Sequence, residues 1–318
     1  MRNDPPVGAV YDRALLLEST KYARSQTAPT ARWMLSRREF ATVPVWLAAT
    51  TMTGFSQNRT LTAGQVVDRI KEHVGVPWRG GQTDTFKSGD LESPVRGIAT
   101  TVMSTFDVIK RAAAAGKNMV VTHEPTFWLG NDDVRSFTND PIYQKKLQFI
   151  RDNNIVIWRF HDHLHARQPD MSAVGLAQAL GWDKYASKDE PRVYVLPPTK
   201  LRELARDVEK RLRIPAIRVI GDPNSVVSRA ALMQGTAPFH ASTVLPKVDV
   251  IVAGEQREWE GVEYAFDANT AGERKGMILV GHWVSEDQGM RLCADWLKTF
   301  IPEVPVEWIP AGDPFWRP

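Results

Sequence analysis

The feature that most limits the fold is an alternation of short apolar strands with amphipathic helices along residues 95–181. Val95–Val102 reads as a strand, Thr105–Ala115 as a helix closed by Gly116, and Asn118–Thr122 as a second strand. Pro141–Asn153 follows as a helix with proline in its first turn. Ile155–Trp158 then reads as a strand and Ser172–Leu180 as a helix ending at Gly181. Successive strands separated by helices do not form hairpins, so the pattern predicts an α/β layer with parallel pairing. The second half repeats the alternation. Strands are expected at Arg192–Leu196, Ile217–Ile220, Val248–Val252, Met277–Val280 and Val306–Ile309, and helices at Leu201–Leu212, Gly261–Ala271 and Ser285–Phe300. Gly235-Thr236-Ala237 reads as a turn of small residues. A helix from Thr62 to about His73, with Val66, Val67 and Ile70 inward, precedes all of these, and His73 reads as a surface residue.

Ahead of that helix the chain changes character. Residues 1–33 have no convincing periodicity and read as disordered or untranslated. Ser36-Arg37-Arg38-Glu39-Phe40, followed by the apolar run Ala41–Phe55, resembles a twin-arginine export signal. With Pro44 inside it, the run falls short of the ~20 residues that a membrane span needs. The reading is a leader over 1–56 and an exported, periplasmic domain over 57–318 with no membrane segment. The competing reading is a basic loop before a buried helix in a cytoplasmic protein. Seven of the 40 Lys and Arg residues and four of the 37 Asp and Glu residues lie in 1–56. The net charge of +3 therefore belongs to the leader, the rest is neutral, and no electrostatic case for nucleic-acid binding remains. The single cysteine, Cys293, excludes an intrachain disulfide and a cysteine-based zinc site, so any metal must be held by nitrogen and oxygen.

Three of the seven histidines fall within His161–His165, directly after the strand Ile155–Trp158. If that strand continues, alternation puts His161, His163 and His165 on one face and Phe160, Asp162 and Leu164 on the other. Imidazoles on one edge of a strand end suit a transition metal; the competing reading is a polar loop with exposed histidines. Two more strand ends present ligand-type residues: His123-Glu124, and His282 with Glu286. The last two share a face if a helix starts near His282. In an open α/β sheet the carboxyl ends of the strands face the ligand crevice. His240 lies far from any of these groups and reads as a surface or packing residue.

From about residue 62 to 300 the chain resembles the Nif-three-like dinuclear metal centre hexameric proteins, also described as homologues of a type 2 GTP cyclohydrolase I. The markers are Thr122-His123-Glu124-Pro125 for the family's Thr-His-His-Pro, and His161-Asp162-His163-Leu164-His165 for its His-Thr-Asn-Leu-Asp. Ala253-Gly254-Glu255 stands for Thr-Gly-Glu, and Gly281-His282-Trp283-Val284-Ser285-Glu286 for Gly-His-x-x-Ser-Glu, the most specific of the four. Glu124 and His165 depart from the pattern in complementary fashion: a carboxylate and an imidazole trade places, so ligand count and formal charge are kept. Glu258 stands about where the family often has a histidine.

The resemblance implies two α/β lobes with mixed, largely parallel sheets flanked by helices and a metal site in the cleft between them. The lobes would be roughly 57–185 plus 245–318, with 186–244 as a smaller middle lobe. It implies two divalent ions (Zn, Fe, Mn or Ni) on His123, Glu124, His165, His282 and Glu286. His161 is then expected as proton shuttle or supporting partner, with His163 a further candidate ligand. It also implies a homo-oligomer, as a hexamer, and metal-assisted hydrolysis of an unidentified small molecule. The alternative is a metal carrier or oligomeric scaffold without turnover.

Overall fold

In the computed structural model, described for residues 60–236, 240–316 and 318, strands form where the buried apolar runs lie. The leader, the twin-arginine-like segment and Ala237 lie outside these residues, as does the His240 side chain. The first sheet holds β1 (Phe86–Ser88), β2 (Ile98–Thr101), β3 (Met119–Thr122), β4 (Val156–Arg159) and β10 (Val306–Trp308), in the order β1-β4-β3-β2-β10. Its β10, β2, β3 and β4 run parallel, and β1 is antiparallel to β4. The second sheet holds β5 (Val193–Lys200), β6 (Arg218–Ile220), β7 (Val226–Thr236), β8 (Val250–Glu255) and β9 (Gly276–Leu279), in the order β5-β7-β8-β9-β6. There β7, β8 and β9 are parallel, while β5 and β6 are antiparallel edges. This is the mixed α/β architecture that the alternation predicts.

Both faces of each sheet are covered, which is why β2, β3, β4 and β9 are buried throughout. Along β3, Met119 and Val121 enter one core with α1 (Ala63–His73), and Val120 enters another with α2 (Phe106–Ala114) and α3 (Pro141–Asp152). Val66, Val67 and Ile70 are the buried face of α1, as the spacing predicts, each burial contributing roughly 1.5–3 kcal/mol. The second sheet packs Val250, Val252 and Ile278 under α6 (Leu201–Leu212), and Ile251, Ala253 and Met277 on the side of α7 (His240–Val244) and α8 (Glu263–Thr270).

Four expectations change. The strand ends at Arg159, and α4 (Asp162–Ala166) is a helical turn, so the period-two placement of His161, His163 and His165 does not hold. The cause is Asp84, whose carboxylate accepts the N–H groups of His161, Asp162 and His163 at 2.7, 3.1 and 3.0 Å. Helical spacing then puts His161 and His165 together and turns His163 away. Gly235-Thr236 is no turn but the end of β7, with a bulge between Met233 and Thr236. The helix expected over Gly261–Ala271 forms as α8, but a π-helical stretch, Glu258–Val262, takes its first two residues. Strands β8 and β9 pair with β7, so the expected lobe boundary at 245 falls between paired strands of one sheet.

The last helix, α9 (His282–Lys298), begins earlier than Ser285, at His282. It crosses α5 (Met171–Leu180) at glycines. A Cβ on Gly175 would lie 2.5 Å from the backbone of Gln288 and Gly289, and one on Gly289 2.6 Å from Ser172 Cα. Backbone meets backbone there, and this contact fixes where α9 carries His282 and Glu286. Gly175→Ala or Gly289→Ala should each lower stability by about 1–3 kcal/mol in urea unfolding, as overpacking does, with Gly80→Ala as a neutral control in open space. An unchanged midpoint for both would show that the helices have room to part.

Candidate metal centre

The register of the first sheet brings Thr101, Thr122 and Arg159 level, so the residues after β3 and β4 leave the sheet side by side. His123 and Glu124 stay pinned by backbone bonds to Thr101 and Val102 at 3.0 and 2.9 Å. In the second sheet, Val280 and Gly281 continue the pairing with Ala253 and Gly254, each at 2.9 Å, and deliver His282 to the first turn of α9.

Four imidazoles share one orientation. His123 Nδ1 lies 3.1 Å from the Phe160 carbonyl, His161 Nδ1 2.9 Å from Asp162 and His165 Nδ1 3.1 Å from Asp170. His282 Nδ1 lies 3.1 Å from Glu255, which also accepts from the Thr236 hydroxyl. Oxygen acceptors require a proton on Nδ1, so each ring turns its Nε2 inward, and that nitrogen offers a lone pair whenever the ring is neutral. Those Nε2 atoms converge. His123 and His165 approach to 3.1 Å, and His282 and His161 stand 3.0 and 3.6 Å from Glu124 Oε1. Glu286 lies below them, 3.4 Å from His123, 3.2 Å from His282 and 3.6 Å from His165. It fits because Gly235 has no side chain: a Cβ there would sit 2.6 Å from Glu286 Oε1.

Charge is concentrated against burial. Burial favours the neutral forms of Glu124 and Glu286, yet the surrounding histidines outweigh it and hold both well below the usual carboxylate range. Burial likewise opposes charge on His282, but its bonds to Glu124 and Glu255 and the nearby Glu286 carboxylate push it up to about 12. His161 is pushed up to about 9 against burial by Asp162 and Glu124. The Glu124 oxygen facing away from the histidines is held 3.3 Å from Arg159, a buried guanidinium that also donates to the His123 and Gly130 carbonyls and pairs with Asp132.

The donor set fits divalent cations. Two neutral Nε2 lone pairs at 3.1 Å repel one another unless a proton or cation lies between them. Among the described residues the buried Glu286 Oε2 makes no hydrogen bond, although His282 and His123 are near it. With metal–nitrogen bonds of about 2.0 Å, the edge of a tetrahedral ligand set is about 3.3 Å, and the separations here bracket that figure. His123, His161 and His165 form one group that could hold an ion, and His123, Glu124 and Glu286 another.

Six of the residues singled out from the sequence thus meet: His123, Glu124, His161, His165, His282 and Glu286. His161, expected as a shuttle, stands within ligand distance of the others. His163 does not join them; Asp84 and the Arg79 N–H occupy its two nitrogens at 2.6 and 2.9 Å, and Trp78 stacks on its ring. His73 packs on Phe300, and Glu258 pairs with Arg218 at the surface. Sequence reasoning missed Arg159, Asp170 and Asp84. An arginine closing an apolar strand was a signal, and Asp170 reads as a helix cap; their link to the site was not visible.

The model of the family described as Duf34/NIF3 (NGG1p interacting factor 3) matches residues 84–313. A Chlamydia pneumoniae protein named GTP cyclohydrolase 1 type 2 homolog is 23% identical over 235 residues, covering 71% of this chain and 88% of that one. A Bacillus cereus protein related to NIF3 superposes with a TM-score of 0.67 at 14% identity, over 82% of this chain and 100% of that one. A Staphylococcus aureus hypothetical protein does so at 0.64 and 16% identity, over 81% and 99%. The matched stretch runs from Asp84, which caps α4, past Glu286, and the chain belongs to the Duf34/NIF3 family.

Proposed function

We propose that this chain binds two divalent metal ions and hydrolyses a small-molecule substrate. The observation that carries the reading is the 3.1 Å approach of the His123 and His165 Nε2 atoms, both with their Nδ1 atoms committed to oxygen acceptors. His123, Glu124, His165, His282 and Glu286 would hold the ions, which supply Lewis acidity for a hydrolytic water when bound. Glu286 would turn its two oxygens to different histidines of the set, Oε1 toward His165 and Oε2 toward His123 and His282. Arg159 holds one oxygen of Glu124, so the other would be the one left for an ion. His161 is partly exposed and bonded to the exposed Asp162, which suits it to carry a proton between Nε2 and solvent. The protein is further proposed to act as an exported homo-oligomer, the export resting on the Arg37-Arg38 pair.

Purified protein should carry two divalent ions per chain by elemental analysis, and His282→Ala or Glu286→Ala should remove at least one. If neither lowers metal content nor alters any hydrolysis in a panel of phosphoester, amide and cyclic-ether substrates, the site reading is wrong. Full metal content without turnover of any of them would favour the carrier reading. His161→Gln should keep both ions while lowering kcat by roughly 10²–10⁴-fold, the usual worth of a general acid–base group. Loss of an ion instead would move His161 into the ligand set. Arg37→Lys with Arg38→Lys should trap the protein in the cytoplasm, and continued export by the twin-arginine route would sink that part of the reading.

A further inference from the structure

We infer that Asp170 is the positioning residue that makes His165 a metal ligand, an inference resting on the metal-binding reading above. Asp170 is only 5% exposed and receives four donors. One oxygen accepts the Ser172 N–H at 2.9 Å, the ordinary cap of α5. The other accepts from His165 Nδ1 at 3.1 Å, Arg192 at 3.0 Å and the Gln234 amide at 2.9 Å. Capping a helix needs only the first oxygen. The second joins three groups from different parts of the chain: His165 on α4, Arg192 just before β5 and Gln234 in β7.

The consequence for His165 is chemical. An oxygen that already collects two fixed donors cannot donate, so the imidazole must turn an N–H toward it, and the Nε2 lone pair must face His123 and Glu286. The three other inward-facing imidazoles are held differently: His123 by a backbone carbonyl, and His161 and His282 by the exposed carboxylates Asp162 and Glu255. Only His165 is aimed by a buried carboxylate, itself neutralised by a guanidinium from outside the site. Asparagine at 170 would still cap α5, but its amide would then meet three donors with a donor. His165 could answer only by moving its proton to Nε2, which removes the lone pair from the site.

The test is a double-mutant cycle read as zinc affinity, by competition with a chromogenic chelator, for the wild type, Asp170→Asn, His165→Ala and the double variant. Asp170→Asn should weaken zinc binding by roughly 10–100-fold, the usual cost of losing an outer partner of a ligating histidine. In the His165→Ala background it should cost less than about twofold, because the imidazole it serves is gone. Equal losses in both backgrounds would make Asp170 merely structural and overturn the inference. Should Asp170→Asn fail to fold, nitrogen-15 histidine spectra of the zinc-loaded wild type decide instead. Protonated Nδ1 with an unprotonated Nε2 on His165 is expected, and the opposite tautomer overturns the assignment. A wild type that takes up no zinc or other divalent ion fails the metal reading, and the tautomer in the metal-free protein still tests Asp170.

Discussion

Glu286 is the constraint to which the strand ends answer. It carries negative charge at 2% exposure, where the net penalty for an unpaired ion is several kcal/mol. Nothing on its own helix neutralises that charge except His282, one turn back. Its other near neighbours are His123 and His165, which follow strands of the other sheet. The carboxylate can therefore be buried only where both sheets end at one place, and the glycine contact between α5 and α9 sets that place. Protons on the surrounding imidazoles are one way to balance it, and the carboxylates around His282 push it upward in keeping with that. A divalent ion balances it with less conflict, because it accepts the opposed lone pairs of His123 and His165 that protons must separate.

The two departures from the family's motif each come with a supporting partner. Where the resemblance leads one to expect an imidazole, Glu124 brings a negative charge, and the buried Arg159 of β4 meets it at 3.3 Å. Where an aspartate is expected, His165 brings a ring that needs an acceptor for its second nitrogen, and Asp170 is that acceptor. Arg159 is in turn anchored by Asp132, which also takes the buried Lys87 at 2.8 Å. A carboxylate and an imidazole can thus exchange positions at the centre because the charges behind each position are matched to it. The same matching means that neither exchanged residue can be judged by its own chemistry alone.

The fold was legible because its signals are local. Buried runs of β-branched residues, a capping threonine at Thr62 and a proline opening Pro141–Asp152 each report on a few neighbours in sequence. The candidate site was legible where a strand end and a histidine coincide, at His123 and at His282. It was not legible where the geometry depends on a distant partner. Asp170 looks like any helix cap, and its second oxygen reaches Gln234 across 64 residues. The lobe boundary failed for a related reason: parallel pairing joins β7 to β8 through a connection whose sequence gives no sign of which sheet receives the next strand.

The histidine cluster shows the same limit most sharply. Alternation is a sound rule for a strand, and the run before His161 is one. What ends it is a single carboxylate 77 residues upstream, offering acceptors to three successive N–H groups and so favouring a helical turn. Asp84 is itself fixed by the ring of His163, which also receives the Arg79 N–H and stacks on Trp78 at 3.7 Å. The one histidine of the three that stays out of the centre is therefore the one that holds the turn in place. Its neighbours reach the site because His163 does not.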